Sequence, residues 1–246
     1  EFLASAETNN VLGGFLALRD PSVVRRLREL RYDVLWVHGY SYLTHWLALA
    51  AAAAARKPVL LREEQTLLHD RPLPKRWVRE VVLRMLFARV HALHIGSLNR
   101  AFFDFYGVPE SRSFFVPYAV DNERLRAEAR ELAGRRNELR QSFGIGPQAG
   151  PVVLFVGKRT EKKRPLLALE AFLRVRRERP CALLIVGAGS LEAELRRRAA
   201  DVPDVYFAGF LNRSAITRAY AAADVFVLPS ALNETWGLVV NEAMNF

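Results

Sequence analysis

Short apolar runs alternate with helical patterns along nearly the whole chain, and this alternation limits the possible folds more than any other feature. Each run holds three to five residues, as a short buried strand does. The predicted strands are residues 34–37, 59–61, 92–95, 113–116, 152–156, 182–186, 205–207 and 225–228. Strands separated in this way by helices predict an α/β fold, in which parallel sheets are covered by helices on both faces.

The chain is long enough for two ordinary domains, each with its own core, because it has 246 residues of which 51% are hydrophobic. We predict two Rossmann-like domains that join near Tyr118, residues 1–118 and residues 119–246. Residues 119–150 are dense in Glu, Arg and Gly, which predicts a helical connector at the start of the second domain.

Composition excludes several classes of protein. No apolar run reaches about 18 residues, so we expect no membrane span, and the first residues lack the pattern of a signal peptide. Cys181 is the single cysteine, which excludes a disulfide framework and favours a reducing, cytoplasmic location. The net charge of +10 is compatible with an anionic ligand, an anionic membrane surface, nucleic acid, or simply a coding bias toward Arg. Because the basic residues are dispersed, we predict no nucleic-acid partner.

Ligands of open α/β sheets bind where the strands end, and this rule selects the candidate residues. In the first half, His38, Arg62 and Glu64 follow predicted strands. In the second half the turn 157–165 carries Gly157, Lys158 and Lys163, which could reach a diphosphate, although a solvated basic loop is an open alternative.

Two further patterns follow strands of the second half. Gly187 and Gly189 form half of a dinucleotide fingerprint, but a tight turn with Ser190 capping the next helix explains them equally well. Glu234 and Glu242 form an E-x7-E pattern that begins as a loop and continues as a helix. Because eight helical residues rise about 12 Å, the two carboxylates could hold opposite ends of an elongated ligand, such as a nucleotide-sugar.

The residues show no metal site. Neither an Asp-x-Asp pair nor a convincing set of metal-binding histidines occurs, so we expect no metal and no other cofactor. The predicted helix 75–90 mixes apolar residues, among them Trp77 and Met85, with several arginines. It could lie on an anionic membrane, and a plain surface helix is the alternative.

Residues 115–246 carry a series of short motifs: FVGK at 155–158, KRP at 163–165, VGxG at 186–189, GF at 209–210, AD at 223–224, PS at 229–230 and ETWGLVVNEAM at 234–244. In their order and spacing these motifs resemble those of glycosyltransferase family 4, the large retaining group with the GT-B fold. Residues 20–118 resemble the later part of the family's acceptor domain, less specifically. The resemblance implies two Rossmann-like domains that face each other across a cleft.

The resemblance also implies roles for particular residues. Lys158 and Lys163 would hold the donor diphosphate, Glu234 would lie at the donor sugar, and Glu242 would hold the ribose hydroxyls. The residues expected at the remaining parts of the donor are Gly157, Gly237 and Leu238 for phosphate, and Gly209 and Phe210 for the base. The implied reaction is metal-independent: a hexosyl unit passes from a nucleotide diphosphate sugar to an acceptor hydroxyl with retention of configuration.

The implied acceptor is a glycan or a lipid-linked molecule of polysaccharide or glycolipid biosynthesis, with peripheral association at the inner face of a membrane. His38, Arg62 and Glu64 are the acceptor-side candidates, although Glu64 stands where many members carry His, and Lys158 stands where Arg is common. Both ends are expected to be shorter than in the family, so the fold would be incomplete and the chain could be inactive. The alternatives are another GT-B enzyme, either an epimerase or a phosphorylase, and a non-catalytic nucleotide-sugar-binding fragment.

Overall fold

The computed structural model describes residues 14–68, 73–232 and 234–246, and the expectation about the first residues lies outside them. The chain divides into two compact units between Pro117 and Tyr118, one residue before the predicted boundary. Within the described ranges, no helix is both long and apolar enough to cross a membrane.

The first unit is built from four strands that alternate with helices. Its elements are α1 (Ser22–Glu29), β1 (Leu35–His38), α2 (Leu43–Ala54), β2 (Val59–Arg62), α3 (Leu73–Phe87), β3 (Val90–His94), α4 (Ser97–Phe105) and β4 (Ser113–Phe115). The strands form one parallel sheet in the order β1-β2-β3-β4. Its core combines fully buried sheet residues such as Leu61 with the rings of Phe87, Phe102 and Phe103.

One predicted helix of this unit has the wrong bounds. The predicted helix 75–90 begins at Leu73 and ends at Phe87, because Val90 instead pairs with Val59 in the β2–β3 ladder. Asp20 Oδ1 accepts a hydrogen bond from the N–H of Ser22 at 2.9 Å, and α1 begins at Ser22.

The second unit repeats the same construction. Its elements are α5 (Asn122–Leu132), α6 (Arg136–Ser142), β5 (Val152–Val156), α7 (Pro165–Arg176), β6 (Ala182–Val186), α8 (Glu192–Ala199), β7 (Val205–Gly209), α9 (Ile216–Ala222), β8 (Val225–Val227) and α10 (Leu238–Ala243). The parallel sheet has the order β7-β6-β5-β8, so β5 and β6 are central. All five residues of β6 are buried, as expected of a strand covered on both faces.

Successive side chains of β5 point to opposite faces of the sheet and so belong to two different cores. Leu154 and Val156 pack on one face with Tyr220 of α9, whereas Phe155 packs on the other face with Phe172 of α7 and Leu195 of α8. The predicted connector belongs to this unit, because Leu125, Leu139 and Ile145 are almost completely buried in it. Residues 119–150 are therefore a packed part of the second unit.

Candidate functional site

A cavity of about 460 Å³ lies at the carboxyl ends of the central strands of the second unit. Its lining residues are Val156, Gly157, Lys158, Val186, Gly187, Ala188, Gly189, Phe210 and Leu211. They come from the turns after β5, β6 and β7, so the strand-end rule located this cavity correctly. Gly157, Lys158 and Phe210 are predicted site residues that the cavity brings together, and Gly209 immediately precedes Phe210.

The turn after β6 passes so close to the backbone of the turn after β5 that it requires glycine at two positions. A Cβ atom on Gly187 would lie 2.0 Å from the carbonyl oxygen of Gly157, and Gly187 has a φ of +126°. A Cβ atom on Gly189 would lie 2.6 Å from the carbonyl oxygen of Arg159. Only glycine fits these positions, and its small size leaves the cavity open beside the backbone. The alternative with Ser190 as a helix cap is wrong, because the residue that caps α8 is Leu191 and it makes no side-chain cap bond.

The turn after β5 is fastened to the turn after β6 through Arg159. Its N–H donates to the Ala188 carbonyl, and its carbonyl accepts from the N–H of Leu191, both at 2.9 Å. The Arg159 side chain is fully buried, forms an ion pair with Glu192 at 2.6 Å, and lies over the ring of Phe207. Sequence reasoning missed this residue, since a third basic residue in a basic turn carries no signal of burial.

Lys163 and Glu234 form an ion pair in which both side chains are mostly buried. Lys163 lies in a short 3-10 turn before α7, and its stem passes close to Gly157. The Glu234 loop is held nearby, because the N–H of Ala231 donates to the Lys162 carbonyl and the N–H of Glu234 donates to the Ala231 carbonyl. Burial strengthens the attraction between the two charges by lowering the local dielectric constant. Lys163 and Glu234, which the resemblance assigns to neighbouring parts of the donor, therefore lie in contact in the structure.

Glu242 lies on α10 and contacts a different neighbour. The hydroxyl of Tyr220 donates to Glu242 Oε2 at 2.7 Å, and Tyr220 is itself buried. Burial, together with this hydrogen bond, raises the pKa of Tyr220 far above its usual value, so the hydroxyl keeps its proton. Gly237 caps α10 with a φ of +79°, and Leu238 is the first residue of that helix. Glu242 is therefore held by a donor that sequence reasoning did not identify.

The acceptor-side candidates lie at the carboxyl edge of the sheet in the first unit. His38 and Arg62 are register partners at the ends of β1 and β2, and Glu64 follows two residues later. His38 is exposed and stacks on Trp36, Arg62 is buried, and Glu64 is half-buried. Their proximity agrees with the strand-end rule, and their role in binding an acceptor stays a prediction.

The most buried carboxylate of this edge is Glu63, which the strand-end rule also selects, between Arg62 and Glu64. Burial raises the pKa of Glu63, and burial together with the charge of Glu63 raises the pKa of Tyr40 to about 12. The Tyr40 hydroxyl accepts a hydrogen bond from Arg79 at 2.8 Å, and Arg79 also donates to Tyr106 at 2.6 Å. Burial, assisted by His38, lowers the pKa of His45. In the described parts of the chain, no group of three His, Cys, Asp or Glu side chains could hold a metal ion.

Comparison with known proteins agrees with the motifs of the second unit. A family model described as "Glycosyl transferases group 1" matches residues 150–246, which contain the cavity, Lys163, Glu234 and Glu242. A D-inositol 3-phosphate glycosyltransferase of Geodermatophilus obscurus is 31% identical over 235 residues, which are 86% of this chain and 50% of that protein. A 2-deoxystreptamine glucosyltransferase of Streptomyces kanamyceticus is 33% identical over 133 residues, which are 52% of this chain and 33% of that protein. The chain spans half or less of the length of these two relatives.

A solved structure shows the same fold. The crystal structure of Anabaena HepE in complex with UDP and glucose superposes with a TM-score of 0.65 and covers 92% of this chain and 60% of HepE. Its sequence is only 17% identical, so this likeness concerns the fold alone. The motifs and the matching family model assign residues 150–246 to the group 1 glycosyltransferases, and the two Rossmann-like units agree with the GT-B fold of that group.

Proposed function

We propose that this protein is a retaining glycosyltransferase that moves a hexosyl unit from a nucleotide diphosphate sugar to an acceptor hydroxyl. The observation that carries the proposal is the Lys163–Glu234 ion pair next to Gly157, at the edge of the glycine-lined cavity. A mostly buried cation beside backbone that a ligand can approach suits a diphosphate. A mostly buried carboxylate at the same place suits the hydroxyl groups of a sugar, which are hydrogen-bond donors.

The donor would extend from this ion pair through the second unit. Lys158 and Lys163 would neutralise the diphosphate, with the N–H groups near Gly237 and Leu238 adding donors. The base would lie near Gly209 and Phe210, where the ring of Phe210 is 76% exposed and can stack on it. Glu242, held by Tyr220, would accept hydrogen bonds from the ribose hydroxyls.

The proposed reaction breaks the bond between the anomeric carbon and the diphosphate oxygen, and forms a bond from the same carbon to the acceptor oxygen. The acceptor proton passes to the leaving phosphate on the same face of the sugar, which retains the configuration. The contribution of Lys158 and Lys163 would be to stabilise the negative charge that develops on the leaving phosphate. His38, Arg62 and Glu64 are proposed to contact the acceptor, and neither a metal nor another cofactor takes part.

The proposed setting is polysaccharide or glycolipid biosynthesis in the cytoplasm, with a glycan or lipid-linked acceptor and peripheral attachment to the inner face of a membrane. One of the relatives is a Mycolicibacterium smegmatis protein described as a phosphatidyl-myo-inositol mannosyltransferase, and another is the Arabidopsis sulfoquinovosyl transferase SQD2. These descriptions belong to those proteins, and they make a lipid-linked acceptor a reasonable first choice for this one.

The test is nucleotide release from a panel of UDP-, GDP- and ADP-sugars, with and without candidate polyol, glycan and lipid-linked acceptors, in the presence and absence of EDTA. We expect acceptor-dependent release of one nucleoside diphosphate, insensitive to EDTA, with the anomeric configuration of the product unchanged by NMR. Conversion of the donor without a transferred product would indicate an epimerase, and sugar 1-phosphate formation from a glycan and phosphate would indicate a phosphorylase. Nucleotide binding without turnover would indicate a binding fragment.

A further inference from the structure

The outer face of α3 carries a continuous apolar stripe. Trp77, Val81 and Met85 stand on successive turns of this face, and Val78 lies beside them. Trp77 is 71% exposed and Met85 is 63% exposed. Large exposed side chains of this kind are unremarkable singly, but a contiguous apolar patch marks an interaction surface.

The packing of α3 onto the sheet does not account for this stripe, because another face of the helix provides that packing. Leu83 and Phe87 are almost fully buried against the core of the first unit. Arg79 also points inward, since it donates to the hydroxyls of Tyr40 and Tyr106. The helix is therefore apolar on two faces, and within the described residues the second face stays largely uncovered.

A groove of about 490 Å³ between α2 and α3 extends the stripe. The apolar residues that line it include Trp46, Leu49, Ala53, Val82, Met85 and Leu86. Met85 belongs to both features, so the stripe and the groove form one surface, which we name the α2–α3 surface. Its charged lining residues are Arg56, Lys57 and Arg89, and none of its lining residues is acidic.

We propose that the α2–α3 surface binds the surface of a bilayer that contains anionic lipid. An apolar strip with an exposed tryptophan, bordered by unbalanced positive charge, matches the acyl and headgroup layers of such a membrane. This inference rests on the proposed function, which includes peripheral attachment to a membrane. It adds which surface of the protein makes that attachment and which lipid charge the surface prefers. A second copy of the chain fits less well, because a symmetric contact through this face would bring like charges together.

The experiment is flotation of the full chain with vesicles of phosphatidylcholine alone, and of phosphatidylcholine mixed with phosphatidylglycerol. We expect binding to the anionic vesicles only, weakened by salt. The double variant Trp77→Ser/Met85→Ser should reduce the partition constant by at least about tenfold, because it removes the insertable apolar surface. The triple variant Arg56→Gln/Lys57→Gln/Arg89→Gln should reduce it by about 100-fold, since each basic residue near an anionic surface contributes to binding.

Matched controls separate a defined surface from general effects of charge and hydrophobicity. The triple variant Arg174→Gln/Arg177→Gln/Arg179→Gln removes the same net charge from exposed positions of the second unit. The double variant Leu30→Ser/Val175→Ser removes exposed apolar side chains elsewhere. We expect both controls to bind like the wild type.

Three outcomes would overturn the proposal. They are no binding of the wild type to anionic vesicles, equal losses in the test and control variants, and vesicle-independent dimerisation that Met85→Ser abolishes in sedimentation analysis. Melting temperatures of all variants, which change only exposed or groove-lining positions, check that each one folds. Nucleotide release from a soluble donor is measured separately, so a failed membrane assay and a failed glycosyltransferase assay remain distinguishable.

Discussion

Lys163 illustrates how one side chain can serve both the fold and the proposed chemistry. It neutralises Glu234 in a mostly buried pair, so the pair is stable only while both charges are present. In the proposed donor complex the same ammonium group would also face the diphosphate. Substitution of Lys163 therefore tests both roles, and the same substitution at the neighbouring Lys162 serves as the control.

Lys163→Ala should lower kcat/KM for the donor by about 100-fold or more, because one electrostatic contact to the leaving group is lost. The variant also leaves Glu234 without its cation, so the melting temperature should fall. Lys162→Ala is the control, since Lys162 is adjacent in sequence and supplies only its carbonyl to the Glu234 loop. An unchanged kcat/KM in Lys163→Ala would contradict the diphosphate role.

Substitution of Tyr220 tests whether nucleotide binding requires Glu242 to be held in position. Tyr220→Phe removes the donated hydrogen bond of 2.7 Å while the buried ring stays in place. We expect nucleotide affinity to fall about tenfold, as for the loss of a hydrogen bond to a charged group. In the Glu242→Ala background, which should itself weaken nucleotide binding, Tyr220→Phe should cause no further loss. Isothermal titration calorimetry measures this cycle, and additive losses would show that Tyr220 acts independently of Glu242.

Glu63 should make the stability of the first unit depend on pH. Its pKa in the folded chain is raised above 4.5 by burial, so the folded state binds more protons than the unfolded state between these two pKa values. The stability contributed by this group is therefore present below about pH 4.5 and is lost as the pH rises through the folded pKa. The melting temperature of Glu63→Gln relative to wild type should thus increase with pH. Parallel curves for Glu63→Gln and the wild type would contradict this assignment.

At the scale of elements, the turns at the strand ends depend on backbone approach more than on side chains. The turn after β6 passes so close to Gly157 and Arg159 that Gly187 and Gly189 have no room for a Cβ atom. The ion pair between the buried side chain of Arg159 and the partly exposed Glu192 then fastens α8 to the same turn. Two glycines and the Arg159–Glu192 ion pair therefore hold the turns that line the cavity.

Gly187→Ala should destabilise the second unit by about 3 kcal/mol, because it combines a positive φ with a contact of 2.0 Å to a backbone oxygen. It should also weaken nucleotide binding, since the turn must move away from Gly157. Gly146→Ala is the control, because a Cβ atom there meets no other atom within 4 Å. Thermal unfolding monitored by circular dichroism compares the two, and equal melting temperatures would show that the turn can adapt.

At the scale of the whole molecule, each unit has its own sheet and its own core. Phe87 is fully buried among aromatic rings of the first unit, and Leu184 is fully buried in β6 of the second. Substitutions that create a cavity at Phe87 or at Leu184 should therefore each destabilise only the core that contains the residue.

Phe87→Ala should destabilise the first unit by about 3–5 kcal/mol, and Leu184→Ala should destabilise the second by about 2–5 kcal/mol. Hydrogen exchange measured by mass spectrometry should show faster exchange in β2 and β3 for Phe87→Ala, and in β5 and β6 for Leu184→Ala. Equal acceleration in both sheets by either variant would show that the two cores unfold as one.

The sequence by itself determined the order of elements and the parallel sheets, because hydrophobic periodicity and the spacing of strands are local properties. β5 and β6 have the predicted bounds, and the strand-end rule selected Gly157 and Lys158, which line the cavity. The tertiary structure decided where α3 ends, since only the β2–β3 ladder assigns Val90 to a strand. It also decided the partners of the charged residues. The burial of Arg159 and Glu63, and the support of Glu242 by Tyr220, depend on side chains that only the fold brings together.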